Sequence, residues 1–207
     1  MRFFTEKKTS CLFLLLAMSL MASAQREKGI SVAFVNNASG YPFSQFGNLV
    51  TKIQHPGVEL GGGFNWKTKS KHDWYQEFKL SWFYHRFVQN AIMLYSDFGY
   101  RYKFSPHWVA QTAIGLGYLH SIPATAKLKL NQNGEYKNDK GIGMAQGMAA
   151  FNLGLGYFIH PSGKRPVKIF ATYQQFLQSP FVKEYVPILP YNSLHIGCSI
   201  PIPSHKK

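Results

Sequence analysis

The stretch Trp108-Val109-Ala110-Gln111-Thr112-Ala113-Ile114-Gly115-Leu116-Gly117-Tyr118 has a period of two. In an extended strand Trp108, Ala110, Thr112, Ile114, Leu116 and Tyr118 share one face, and Val109, Gln111, Ala113, Gly115 and Gly117 share the other. The first face is largely apolar with an aromatic at each end; the second is small or polar. A soluble sandwich strand also alternates, but its apolar face points inward. Small residues opposite large ones suggest instead a narrow, crowded interior behind a lipid-facing wall.

The pattern repeats on both sides of this stretch. Val58, Leu60, Phe64 and Trp66 oppose Glu59, Gly61, Gly63 and Asn65. Trp74, Phe78, Leu80, Trp82 and Tyr84 oppose Glu77, Lys79 and Ser81, and Leu94, Phe98, Tyr100 and Tyr102 oppose Asp97, Gly99, Arg101 and Lys103. Phe151, Leu153, Leu155 and Tyr157 oppose Asn152, Gly154 and Gly156. Ile30, Val32 and Phe34 open the set, and Ile196, Cys198 and Ile200 close it against His195, Gly197 and Ser199. The weakest member places Val167, Ile169, Ala171 and Tyr173 against Lys168, Thr172 and Gln174. Each segment is near the roughly 9–11 residues that a tilted strand needs to cross a bilayer.

Connections at residues 68–73, 104–107 and 160–166 are short and polar; those at 36–55, 121–146 and 178–192 are long, and 85–90 is a short one in the long set. Such alternation is expected where turns are periplasmic and loops extracellular. The fold class expected is all-β: a closed antiparallel up-and-down transmembrane β-barrel of about eight strands. A lipocalin-like soluble barrel is the main alternative.

Residues 1–24 read as a cleaved export signal, leaving residues 25–207 as the barrel domain. Arg2, Lys7 and Lys8 precede an apolar run ending at Met21, and Ala22-Ser23-Ala24 supplies small residues before Gln25. The run is about half the roughly 20 residues of a spanning helix. The 16% aromatic content and 18 glycines suit a membrane barrel with interfacial girdles. Net charge is +14; Arg2, Lys7 and Lys8 against Glu6 put +2 of it on the signal, leaving +12. An exported chain rarely meets nucleic acid, so phosphorylated lipid head groups are the nearer polyanion. Lys67, Lys69, Lys71, Lys164, Arg165, Lys206 and Lys207 gather on the periplasmic side, where inner-leaflet phosphates lie.

At this point the chain resembles the small outer-membrane barrel proteins of Bacteroidetes-type envelopes, and in architecture the OmpA/OmpX-type eight-stranded barrel. The resemblance is carried by His55-Pro56-Gly57-Val58-Glu59-Leu60-Gly61, by the turn from Tyr84-His85-Arg86 to Asn90-Ala91, and by Pro180-Phe181 running to Val186-Pro187-Ile188-Leu189-Pro190. It spans residues 29–202 and implies a bacterial outer-membrane location more than an activity.

Chemistry-bearing residues are few. Glu59, Glu77, Lys79, Asp97, Arg101 and Lys103 fall on the inward parity, where they are expected to form a lumen charge network, because buried charge requires a partner. An acyl hydrolase needs a hydroxyl, a histidine and a carboxylate within reach of one another. His120-Ser121 is the best local candidate, but strand neighbours point to opposite faces and no carboxylate flanks the pair. The eight histidines show no ligand spacing, Cys198 is the one cysteine outside the signal, and no cofactor or metal is implied.

Loop chemistry is more informative. Phe181, Val182, Tyr185, Val186, Ile188, Leu189 and Tyr191 lie among three prolines, too apolar for a loop simply exposed to water. The first long loop adds Tyr41, Phe43, Phe46, Leu49 and Val50. These two loops are expected to be neighbours, either as a lid over the mouth or as a surface for a protein or glycan. The function expected is a non-enzymatic, structural or partner-binding outer-membrane barrel. A narrow pore or carrier of a small apolar ligand is the first alternative, a lipid-modifying enzyme the second.

Overall fold

Alternation of bulky and small residues is the pattern of a strand buried on one face by its neighbours' side chains, and here it closes on itself. The computed structural model describes residues 28–44, 46–51, 55–125, 128–130, 134–138, 141–163, 166–182 and 185–202. The export signal read at residues 1–24 lies outside them, as do Lys164, Arg165, Lys206 and Lys207.

Eight long strands form one closed barrel: β1 (Lys28–Ser39), β2 (Pro56–Thr68), β3 (His72–His85), β4 (Gln89–Lys103), β5 (Trp108–Pro123), β8 (Met144–Ile159), β9 (Val167–Ser179) and β10 (Leu189–Ile202). Neighbours are antiparallel throughout, and β1 closes the ring by pairing β10 from Lys28↔Ile202 to Ser39↔Tyr191. The register slips once, between Asn65 and Lys67 of β2. A helix, α1 (Phe46–Thr51), lies in the first long loop. The third carries a two-stranded sheet of β6 (Leu128–Leu130) and β7 (Tyr136–Asn138), which the alternation of residues did not suggest.

At 12–16 residues the barrel strands are longer than a minimal tilted crossing. The faces fall as the sequence predicts along most of the ladder. Ile114 and Leu116 are each 66% exposed outside, and Leu80, Phe98, Leu153 and Leu155 share that wall. Aromatic clusters rim its turn end: Trp74 lies 5.6 Å from Phe98 and 5.2 Å from Tyr100, and Trp108 lies 5.0 Å from Tyr157 between ring centroids.

The inner glycines of β5 make room for larger lumen groups. A Cβ on Gly115 would come within 2.3 Å of Asp97 Oδ1, and one on Gly117 within 2.3 Å of Tyr95 Cβ. Small residues on the inner face are therefore the complement of large ones on the facing strand.

Candidate functional site in the lumen and at the extracellular rim

The six charged residues expected inside do point inward, on β2, β3 and β4. At mid-height Lys79 Nζ lies 3.0 Å from Asp97 Oδ2, 3.4 Å from Glu59 Oε1 and 3.7 Å from Glu77 Oε2. Glu59 also accepts a hydrogen bond from Tyr95 Oη and lies 3.3 Å from His195 Nδ1. Tyr95 Oη in turn accepts from Gln174 Nε2 at 3.2 Å. Because β4 and β9 are not wall neighbours, that contact crosses the lumen.

Nearer the turn end, Glu77 and Asp73 flank Arg101 at 3.7 and 3.9 Å, and Lys103 reaches Asp73 at 2.8 Å. Arg101 thus pairs with Asp73 and Glu77 on β3, and Glu77 joins this group to Lys79. The Arg101 guanidinium also stacks over Tyr75 at 4.4 Å. The charge network expected from sequence omits Asp73, Tyr95, Lys168, Gln174 and His195. Parity puts Lys168, Gln174 and His195 on the inward face but does not show that they join the charges; Asp73, read as part of a connection, begins the inward series of β3.

Toward the loop end the lumen turns aromatic. Phe176 and Tyr191 stack at 4.9 Å with 6° between rings, and Phe83 lies 6.1 and 5.7 Å from them. Gln89 and Gln178, on non-adjacent β4 and β9, exchange hydrogen bonds of 2.6 and 3.2 Å, and Gln178 Nε2 also donates to Gln146. Opposite Gln89 in the ladder lies His85, whose ring stacks on His55 at 3.7 Å.

This layer corrects the reading of the last loop. Leu189 and Tyr191 belong to β10, not to a loop: the ladder continues to Leu189↔Gln178, and inward parity buries Tyr191 completely. Val182, Tyr185, Val186 and Ile188 do remain exposed, Tyr185 by 82%. A bridge between Val182 and Val186 and a hydrogen bond from Phe181 N to Pro187 O hold them in a tight hairpin.

The described part of the first loop that carries Tyr41, Phe43, Phe46 and Leu49 lies against the outside of the barrel, while its last residue, His55, stacks on His85. Tyr173 has outward parity yet is only 7% exposed, because Phe43 stacks on it at 4.9 Å and Phe46 meets it edge-on at 5.6 Å. Leu49 completes the cover over Ala38 and Leu194. Polar side chains on this part of the wall fasten the loop: Asn192 Nδ2 donates to the carbonyls of Gly40 and Tyr41, Asn36 Nδ2 donates to Leu49 O, and Tyr173 Oη accepts from Phe43 N. Tyr41, Phe43, Phe46 and Val50 are left exposed on the outside.

His120 and Ser121 diverge as strand neighbours must. Ser121 is buried inward, whereas His120 Nε2 donates to Ile142 O and its Nδ1 accepts from Tyr118 Oη, each at 2.9 Å. Among the described residues no group of three or more His, Cys, Asp or Glu is placed to hold a metal.

An apolar band outside, aromatic rims, a polar interior and a barrel sheet without a free edge define a transmembrane β-barrel of the outer-membrane type, which resides in the bacterial outer membrane. No family model matches the chain, and no curated protein does. Among solved structures it is similar to Ail, the attachment invasion locus protein of Yersinia pestis (11% identity over 86% of this chain and 100% of that one, TM-score 0.46). It is also similar to neisserial surface protein A (10%, 86% and 98%, TM-score 0.49) and to the outer-membrane enzyme PagL (14%, 84% and 99%, TM-score 0.46). These likenesses say nothing of what this chain binds or does.

Proposed function

We propose that this protein is a non-enzymatic, non-conducting outer-membrane barrel whose lumen is plugged and whose working surface is its extracellular rim. The observation that carries this reading is contact across the bore at two heights: the Lys79–Glu59–Tyr95–Gln174 chain at mid-height, and the Gln89–Gln178 pair beside stacked Phe176 and Tyr191 above it. Eight strands leave an interior just wide enough for side chains, so such layers block the path. Outside the plug two surfaces are open to other molecules: the lipid-facing wall, whose partners are outer-membrane lipids including their phosphorylated head groups, and the apolar hairpin at residues 181–188, which suits a protein or glycan partner.

Planar-bilayer recording of the refolded protein tests the plug. No steady unitary conductance is expected from the wild type, whereas Lys79→Ala combined with Tyr95→Ala should produce one. A stable wild-type conductance would establish the pore reading instead. Hydrolysis of an acylated lipid substrate by wild type, lost in His120→Ala, would establish the enzyme.

A further inference from the structure

Below the charged layer the lumen is not filled. A cavity of about 370 Å³ lies at the turn end, bounded by the first residues of β1, the last of β10 and the β3–β4 wall. Among the described residues its charged lining is unbalanced: Lys28, Arg101, Lys103 and Lys168 against Asp73 and Glu77. Both carboxylates are already engaged, Asp73 by Lys103 and Arg101, Glu77 by Arg101 and Lys79.

Lys168 is the residue left over. It is only 5% exposed, and among the described residues it has no carboxylate within ion-pair range. Its Nζ has Gln111 Oε1 at 3.4 Å, a long hydrogen bond to a neutral group, and lies 5.5 Å from the centre of the Phe170 ring. Arg101 adds a second unsatisfied donor, since its buried Nε has no hydrogen-bond partner among the described residues. A buried ammonium with no carboxylate in contact is costly, and a cleft with excess positive charge and low-dielectric walls concentrates anions. The volume falls within the range of small-molecule sites, and Phe158 offers apolar contact beside the charges.

We propose that this chamber is a binding site for a small phosphate-bearing molecule reached from the periplasmic side, with Lys168 as its principal anion contact and Arg101 as its second. The plug above closes the far end, so the site binds without passing its occupant through. A soluble phosphate ester and the head group of an inner-leaflet phospholipid share the chemistry required.

The test uses the mature protein refolded in a phosphate-free amine-oxide detergent and titrated calorimetrically with sn-glycerol 3-phosphate. Saturable one-to-one binding is expected, weakened at least tenfold by Lys168→Met and retained in Lys168→Arg. Lys69→Met removes the same charge from an exposed turn at the same end and should leave binding unchanged. A wild type without saturable binding, or equal weakening by Lys168→Met and Lys69→Met, overturns the proposal. Should Lys168→Met fail to fold, the Lys168 Nζ resonance of the wild type must still shift with added glycerol phosphate; an unmoved resonance is the overturning result. Doping the detergent with phosphatidylglycerol separates the sources: loss of glycerol phosphate binding identifies the head group as occupant, and unchanged binding identifies a soluble ester.

Discussion

Lys79 and Asp97 stand two residues out of register on neighbouring strands, Asp97 being opposite Glu77, yet Lys79 Nζ reaches Asp97 Oδ2 at 3.0 Å. The diagonal lets one ammonium face Asp97, Glu77 and Glu59 together. Lys79→Met would leave three carboxylates in the bore without their common cation, which is expected to cost about 3–5 kcal/mol. Adding Asp97→Asn should recover part of this, with a coupling of about 0.5–3 kcal/mol in a denaturant-monitored cycle. Arg101 and Asp97 have no mutual ion pair, so their coupling should be smaller than that of Arg101 with Glu77.

Wall orientation predicts opposite causes for two losses on β5. Leu116→Arg places a charge in lipid and should cost about 2–4 kcal/mol if near the midplane. Gly115→Val fails from the other side, because its side chain would meet Asp97 in a full interior. Asp97→Ala should rescue Gly115→Val and leave Leu116→Arg unchanged, as read by urea unfolding in lipid vesicles.

Tyr173 holds the first loop. Tyr173→Ala removes two ring pairs, each worth about 0.5–1.5 kcal/mol, together with the acceptor for Phe43 N. Chymotrypsin should then cut near Tyr41–Phe46 while heat-modifiable migration of the barrel persists. Equal resistance in wild type and variant would show that the loop is held elsewhere.

The hairpin at residues 181–188 is predicted to be dispensable for folding. Replacing Phe181, Tyr185 and Ile188 by Ser should leave barrel migration nearly unchanged, since stability lies in the closed ladder, and should abolish co-purification of a rim partner. Failure of barrel assembly would place the hairpin in the fold's core.

Most of the barrel was legible because lipid outside and crowding inside impose a period of two that needs no long-range information. Trp108 to Tyr118 shows this residue by residue. Parity misleads where a third layer covers the wall. Tyr173, Leu194 and Ala38 obey it, yet are shielded by a loop whose path depends on Asn36 and Asn192, polar residues that look out of place on a lipid face until the loop is present. Tyr191 was misplaced for a related reason: prolines at 187 and 190 suggest a loop, but the ladder resumes between them. In the lumen, parity identified charges but not partners, which depend on diagonal reach across strands. Lys168 looked ordinary in sequence; what sets it apart is that the nearby acids are taken.

The first loop leaves β1, the first strand, and is fastened to β10 and β9, the last two. At the extracellular end it therefore acts as a clasp over the seam where the ring of strands meets itself, tying β1 to a strand with which it shares no ladder hydrogen bond. Parting the seam from that end requires peeling off the clasp as well as unzipping the ladder.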